Sequence, residues 1–342
     1  MTRKKAPAPR VCAIVPAFKV SDHVVQVVAG LLDHVDHVFV VDDACPVFSG
    51  RQVVTAYPDH PQVTVLFLPE NLGVGGAVMA GYTRAAELGY TVMVKVDGDG
   101  QMDPEFIPAL VSPILAGEAD YTKGNRFFDP EGLSAMPLTR LIGNAGLSFL
   151  TKLSTGYWQI MDPTNGFTAI HADVLPWVKL ERVEKRYFFE TDLLFRLGTI
   201  NAVVLDIPMP ARYGEEVSNL KVGSALFEFS CKHMARLCKR IVYQYFLRGF
   251  SVASVCLALS LPLLIFALSF GLVQWYRSIE SGIPATAGSI MLAALPVMVG
   301  IQLLMSFFSH DMARQPSKPL WVLLNGNSAG ERDNQKQSGT EN

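Results

Sequence analysis

Two long stretches near the C-terminus carry no charged side chain: residues 249–273 (GFSVASVCLALSLPLLIFALSFGLV) and residues 281–309. At about 1.5 Å per residue, a helix over the first exceeds the roughly 30 Å hydrocarbon core of a bilayer. Only QWYRSIE separates the two, so they read as a helical hairpin whose ends emerge on one side of a lipid bilayer. Lys232, Arg236, Lys239, Arg240 and Arg248 precede the first stretch, and Arg314 and Lys318 follow the second. The connection offers Arg277 alone, so the positive-inside rule places the large N-terminal part and the C-terminal tail in the cytoplasm, at the inner (cytoplasmic) membrane. Trp275, Tyr276 and Trp321 suit the membrane–water interface. The competing reading is a pair of helices buried in a soluble core. A hydrophobic content of 50% and a mean hydropathy of +0.26 favour the membrane.

The first two hundred residues have a different grain. Short β-rich runs (VCAIVPAF, HVFVVDD, QVTVLFL, VMVKVD) alternate with helical patterns, and a later run, AVVLDIPM, repeats the theme. Such alternation predicts an α/β domain: a mainly parallel sheet covered by helices on both faces. The resulting divisions are a polar N-terminal tail (1–10), an α/β domain (11–222), an amphipathic juxtamembrane helix (223–248), a transmembrane hairpin (249–309) and a polar tail (310–342). The juxtamembrane segment reads as lying on an anionic membrane surface, with Lys232, Arg236, Lys239 and Arg240 toward headgroups. MTRKKAPAPR has no apolar core and is not read as a signal peptide. A net charge of -2 and a pI of about 6.4 argue against a nucleic-acid partner. The five cysteines form no CxxC pair, which fits a reducing compartment.

Open α/β sheets place ligands beyond the carboxyl ends of their strands. Three strands end there in Pro16-Ala17-Phe18, Asp42-Asp43 and Asp97-Gly98-Asp99. Carboxylates packed as closely as in DGDGQMDP repel unless a cation or water stands among them. An EF-hand loop starting at Asp97 fails, because Met102 and Pro108 occupy the positions that need Gly and Glu. A solvated acidic turn and a site for Mg²⁺ or Mn²⁺, completed by substrate phosphates, both remain. The glycines of NLGVGGAVMAG do not complete GxGxxG, since Val78 stands in the last position, and there is no P-loop. They read first as a helix start packed closely on the sheet, and second as a place where backbone approaches a nucleotide. Arg126, Arg140, Arg212 and Lys221 are surface charges one by one; together with a metal motif and an anchor they suggest a second, lipid-borne phosphate. Asp162 and Glu190 are acids beside apolar residues, each able to orient a sugar or act as a base, and Glu190 reads equally well as a helix-start carboxylate.

IVPAFK, VVDDAC, NLGVGGAVMAGY, VDGDGQMDP, DYTKGNRF, DPTNGF and IPMPARYGEEVSNLK follow one another as in family 2 glycosyltransferases. Over residues 11–221 the chain resembles the dolichyl- and polyprenyl-phosphate glycosyltransferases, and the hairpin resembles the anchor of their bacterial members. The resemblance implies a GT-A fold, a nucleotide-sugar donor, a polyprenyl phosphate acceptor and Mg²⁺ or Mn²⁺ as cofactor. On it, Pro16, Phe18, Asp42 and Asp43 match donor positions, and Asp97 matches the acid near ribose and metal. Asp99 and Gln101 match metal ligands. Arg126, Arg140, Asn144, Arg212, Ser218 and Lys221 match the surroundings of the acceptor phosphate, and Asp162 the acid near the transferred sugar. Asp99, Asp162 and Arg126 are then the expected catalytic set. Two segments depart from the family: PxYNE becomes PAFKV, removing the acid that contacts the base (Asp22 is a substitute), and VVDDGS becomes VVDDAC. The implied reaction is metal-dependent, inverting transfer of one sugar from a UDP- or GDP-hexose to polyprenyl phosphate at the cytoplasmic face. The alternatives are an enzyme extending a lipid-linked glycan or polysaccharide, which lacks support because no QxxRW is present, and a catalytically weakened membrane scaffold. The hairpin also offers a surface for a homo-oligomer.

Overall fold

The computed structural model describes residues 8–128, 138–210 and 222–325; for the first residues of the helices beginning at Leu138 and Val222 it describes the backbone alone. Seven strands form one sheet: β1 (Val11–Ala17), β2 (His37–Asp42), β3 (Val63–Phe67), β4 (Val92–Lys95), β5 (Tyr121–Asn125), β6 (Thr168–His171) and β7 (Val204–Pro208). Their order is β3-β2-β1-β4-β6-β5-β7. All neighbours run parallel except β6, which is antiparallel to both β4 and β5. β1 lies between β2 and β4 and must bury both faces, which is why its run is apolar throughout. Its side chains alternate accordingly. Cys12 and Ile14 join Phe39, Tyr82 and Leu193 in one core, while Ala13, Val15 and Ala17 join Val28, Val94 and Leu110 in the other. The helices covering the two faces are α1 (Val24–Leu31), α2 (Ser49–Ala56), α3 (Val74–Glu87), α4 (Ile107–Leu115), α5 (Leu138–Thr155) and α6 (Phe189–Thr199). β5 and β6 are not legible in the sequence: YTKGN and TAIH carry polar residues and are short, so their pattern competes poorly with the longer apolar runs.

The chain folds as two compact units, one built from the residues up to Arg236 together with those from Pro316 on, the other from Leu237–Gln315. Helix α7 (Val222–Ile241) runs across that boundary. In the first unit Arg236 pairs with Asp192 (2.6 Å) and Glu184 (3.2 Å), and Lys232 with Glu184 (3.3 Å). In the second, Arg240 is buried in a two-pronged pair with Asp311 at 2.7 and 2.9 Å. The cations expected to face headgroups are thus largely engaged by carboxylates, and Lys239 is the exposed member. Amphipathic spacing reveals a charged face but not the distant acids that meet it.

The second unit is dominated by α8 (Val252–Ser281) and α9 (Ala287–Ala313), both long and apolar enough to cross a membrane. Ser251 opens α8 with a reciprocal cap to Ser254. Leu261, Ile265, Leu268, Leu295 and Met298 are exposed along the pair. Helices apolar on all sides and bare to solvent call for a non-aqueous covering. After α9 the chain rejoins the first unit, where the Leu320 and Trp321 N–H groups donate to buried Asp120 and Trp321 stacks on His171 at 4.2 Å.

Candidate active site

β1, β2 and β4 all end on one side of the sheet, and the loops that follow them build a cleft of about 760 Å³. Pro16 and Phe18 come from the first, Asp43 from the second, and Lys95, Asp97 and Asp99 from the third. Asp42 and Asp43 are sequence neighbours with opposite tasks, because side chains alternate along a strand. Asp42 is buried and accepts from the Cys45 and Gly50 N–H groups, both at 2.7 Å, shaping the turn into α2. Asp43 accepts from the Leu72 and Gly73 N–H groups at 2.7 and 2.8 Å and so anchors the loop into α3.

At the end of β4, Lys95 is almost wholly buried and its ammonium lies 2.8 Å from Asp97 and 3.5 Å from Glu190 at the start of α6. Burial pulls the ammonium down, yet the two carboxylates outweigh it and hold Lys95 above its ordinary value. Burial raises the Glu190 carboxyl against the pull of Lys95 and Lys123. Asp99 accepts from the Gln101 N–H at 3.0 Å, and Gly100 takes a positive φ of 78° that lets the chain turn back there.

A second, smaller cavity of about 120 Å³ opens beside the first and shares Asp97 and Asp99 with it. Gln101, Asp103, Arg126, Thr164 and Asn165 complete its polar wall, and Gly166 lines it with backbone. Arg126 forms a fork with the fully buried Asp162, at 2.7 Å from Nε to Oδ2 and 3.1 Å from Nη2 to Oδ1. Asp162 therefore lies behind Arg126 and fixes its direction. Beneath them, Lys123 donates to the Asn165 carbonyl, and burial lowers its pKa to about 8.

The model of the family described as "Glycosyl transferase family 2" matches residues 12–176. An undecaprenyl-phosphate mannosyltransferase of Micrococcus luteus is 30% identical over 203 residues, spanning 58% of this chain and 82% of the relative. This chain is a family 2 glycosyltransferase. A UDP-N-acetylglucosamine–dolichyl-phosphate N-acetylglucosaminyltransferase of Methanococcus voltae is 28% identical over 63% of this chain and 92% of its own. A polyprenol monophosphomannose synthase of Mycolicibacterium smegmatis is 29% identical over 65% and 86%. Among solved structures, glucosyl-3-phosphoglycerate synthase from Mycobacterium tuberculosis superposes with a TM-score of 0.50 at 18% identity, covering 68% of this chain and 80% of that one. The catalytic unit has the GT-A fold of these enzymes.

Set on that fold, the residues read from the sequence divide into three groups. Pro16, Phe18, Asp43, Asp97, Asp99, Gln101 and Arg126 line the paired cavities. Asp42 and Asp162 stand behind the walls as supports. Arg140 and Asn144 belong to α5 with side chains outside the described residues, and Arg212, Ser218 and Lys221 lie outside them altogether. The same cavities are lined by Lys95, Gly166 and Arg186, to which the sequence alone assigns no role. A lysine inside the apolar run VMVKVD was the available signal for the first. Gly166 had none: a Cβ there would collide with the Lys95 ammonium and stand 2.6 Å from Asp97 Oδ2.

The family's divalent ion can be tested against this donor set. Asp97, Asp99 and Gln101 offer hard oxygens on one short loop, as Mg²⁺ and Mn²⁺ prefer. Among the described residues no group of three or more His, Cys, Asp or Glu gathers to cage an ion by itself. Lys95 already occupies one oxygen of Asp97. The residues fit an ion that completes its shell with substrate phosphates, not one held by protein alone.

Proposed function

We propose that this enzyme transfers one sugar from a nucleotide sugar to the phosphate of a polyprenyl lipid at the cytoplasmic face of the membrane. The observation that carries the reading is the junction at Asp97 and Asp99, where a cleft large enough for a nucleotide meets a smaller cavity walled by Arg126. The membrane-length helices in the same chain, the lipid phosphates named for two relatives and the polyprenol monophosphomannose named for a third support it.

The larger cleft takes the donor, with Asp43 holding the loop against which the nucleotide rests. Arg126, aimed by Asp162, receives the acceptor phosphate. A phosphate monoester has a second pKa near about 6, so at pH 7 it is mostly dianionic and needs no strong base. One of its oxygens attacks the anomeric carbon; the bond from that carbon to the diphosphate oxygen breaks, the electron pair leaves with the nucleoside diphosphate, and in-line geometry inverts the centre. A divalent ion on Asp99 and Gln101 would offset the charge gathering on that leaving group. Guanidinium groups must bring two anions together, which is why a rigid Arg126 matters.

Both ends of the hairpin are covalently continuous with the catalytic unit. The test is a panel of radiolabelled UDP- and GDP-sugars offered with undecaprenyl phosphate to membranes carrying the protein, with Mg²⁺, Mn²⁺ or EDTA. Label should pass from one donor into the lipid extract and depend on the ion. Failure of every donor to label lipid, with the protein folded and inserted, refutes the proposal.

A further inference from the structure

The large cleft is more acidic than a pocket for an anionic nucleotide should be. Asp43, Asp97, Asp99 and Glu190 line it, against Lys19, Lys95 and Arg186. Lys95 is committed to Asp97 and Glu190. In the adjoining cavity Arg126, aimed by Asp162, is assigned to the acceptor phosphate and not to the donor. Among the described residues neither Lys19 nor Arg186 pairs with a carboxylate, and Lys19 instead places its ammonium 5.5 Å from the Phe18 ring.

Arg186 is held in place by its backbone, not by its side chain. The Gly75 and Gly76 N–H groups donate to the Lys185 carbonyl at 2.9 and 3.2 Å, and the Phe189 N–H donates to the Arg186 carbonyl at 2.9 Å. Glu184, just before, is pinned by Lys232 and Arg236. This close seating requires glycines. A Cβ on Gly75 would stand 2.5 Å from the Glu184 carbonyl, and one on Gly73 would meet the Lys185 carbonyl and lie 3.1 Å from Arg186 Cγ. The glycine cluster therefore serves to bring the 184–189 segment down on the start of α3, with the exposed side chains of Arg186 and Tyr187 on the cleft. A guanidinium fixed at its root, facing a cleft of carboxylates, and unmatched by any of them is arranged to meet an external anion.

We propose that Arg186 binds the diphosphate of the donor nucleotide, with Lys19 as a weaker second cation; this rests on the donor site assigned above. The experiment titrates UDP and GDP, and separately uridine and guanosine, into the full-length protein in detergent by calorimetry, in Mg²⁺ and in EDTA. Charge-assisted hydrogen bonds set the scale, so Arg186→Gln should weaken the diphosphate by about 10- to 100-fold in both conditions and leave the nucleoside unchanged. Arg186→Lys should recover part of the loss, since an ammonium restores charge without the fork. Lys19→Gln should cost less than Arg186→Gln. The exposed side chain makes a folding defect a poor explanation, and an unchanged Tm checks that. Wild-type affinity in Arg186→Gln, or equal losses for nucleoside and diphosphate, overturns the assignment while leaving the donor site intact. A wild-type protein that binds neither diphosphate overturns both.

Discussion

At Gly166 one added methyl group would press on the Lys95 ammonium and on Asp97 Oδ2, the pair that sets the charge of the donor end. Gly166→Ala should therefore disturb both stability and nucleotide binding, by about 1–3 kcal/mol if the pair resists displacement. Melting curves and a UDP or GDP titration report the two effects, and a variant unchanged in both would show the Lys95–Asp97 contact to be loose. Asp99→Ala removes a carboxylate from the junction of the two cavities. Transfer should fall by at least about 10²-fold, the scale of a lost electrostatic stabiliser, while the protein still inserts in membranes. Full turnover with divalent ions present would eliminate Asp99 from the reaction. These acids were legible because like charges crowded at a strand end demand an explanation. Asp42 and Asp162 carry expected donor and sugar roles, and the structure shows each carboxylate buried and held by main-chain or guanidinium donors. The acid type and its strand-end setting are local, whereas what each carboxylate faces is decided by partners up to 36 residues away.

The glycine-rich start of α3 and the loop before α6 act as one element, because Gly75 and Gly76 donate to Lys185. Gly75→Ala would bring a Cβ to 2.5 Å from the Glu184 carbonyl and 2.6 Å from Phe189 Cβ, so the 184–189 segment must lift. The expected result is weaker nucleotide affinity together with a lower Tm, and unaltered affinity would separate that segment from the donor site. Between β5 and β7 the register sets Lys123 beside Asp206. Burial pushes the Asp206 carboxyl up to about 6 from an ordinary 3.8, against the Met161 N–H that it accepts at 2.7 Å. The folded state then holds this proton more tightly than the unfolded one. Stability from this group is present at low pH and is lost as pH climbs from about 4 to about 6. Asp206→Asn should gain on the wild type over that interval, and parallel stability curves for the two would contradict it. The long apolar strands and α3 were readable from period and composition. β5 and β6 were hidden because their stability comes from pairing in the sheet interior, a tertiary fact that short polar-containing runs do not advertise.

For the whole molecule the hairpin decides topology, and its sequence signature was strong because a bilayer sets a minimum length and tolerates almost no charge. The structure adds what composition could not: the residues flanking the hairpin are paired within their own units. On the entry side Arg236 grips Asp192 and Arg240 grips Asp311 near the end of α9; on the exit side Asp120 receives Leu320 and Trp321. Breaking the buried Arg240–Asp311 pair by Asp311→Ala should cost about 3–5 kcal/mol, because it strands a guanidinium, and should expose the 241–252 region to protease. Orientation can be read with the protein's own thiols. Cys231 and Cys238 are exposed on α7, whereas Cys12, Cys45 and Cys256 are buried. In sealed right-side-out vesicles a membrane-impermeant maleimide should leave the wild type unlabelled until detergent opens the bilayer. A Ser281→Cys variant, with its thiol at the turn between α8 and α9, should label at once. Labelling of the wild type before permeabilisation would place α7 outside. Such a result would leave a phosphate-lipid acceptor chemically acceptable but would put the donor cleft on the side where cytoplasmic nucleotide sugars cannot reach it.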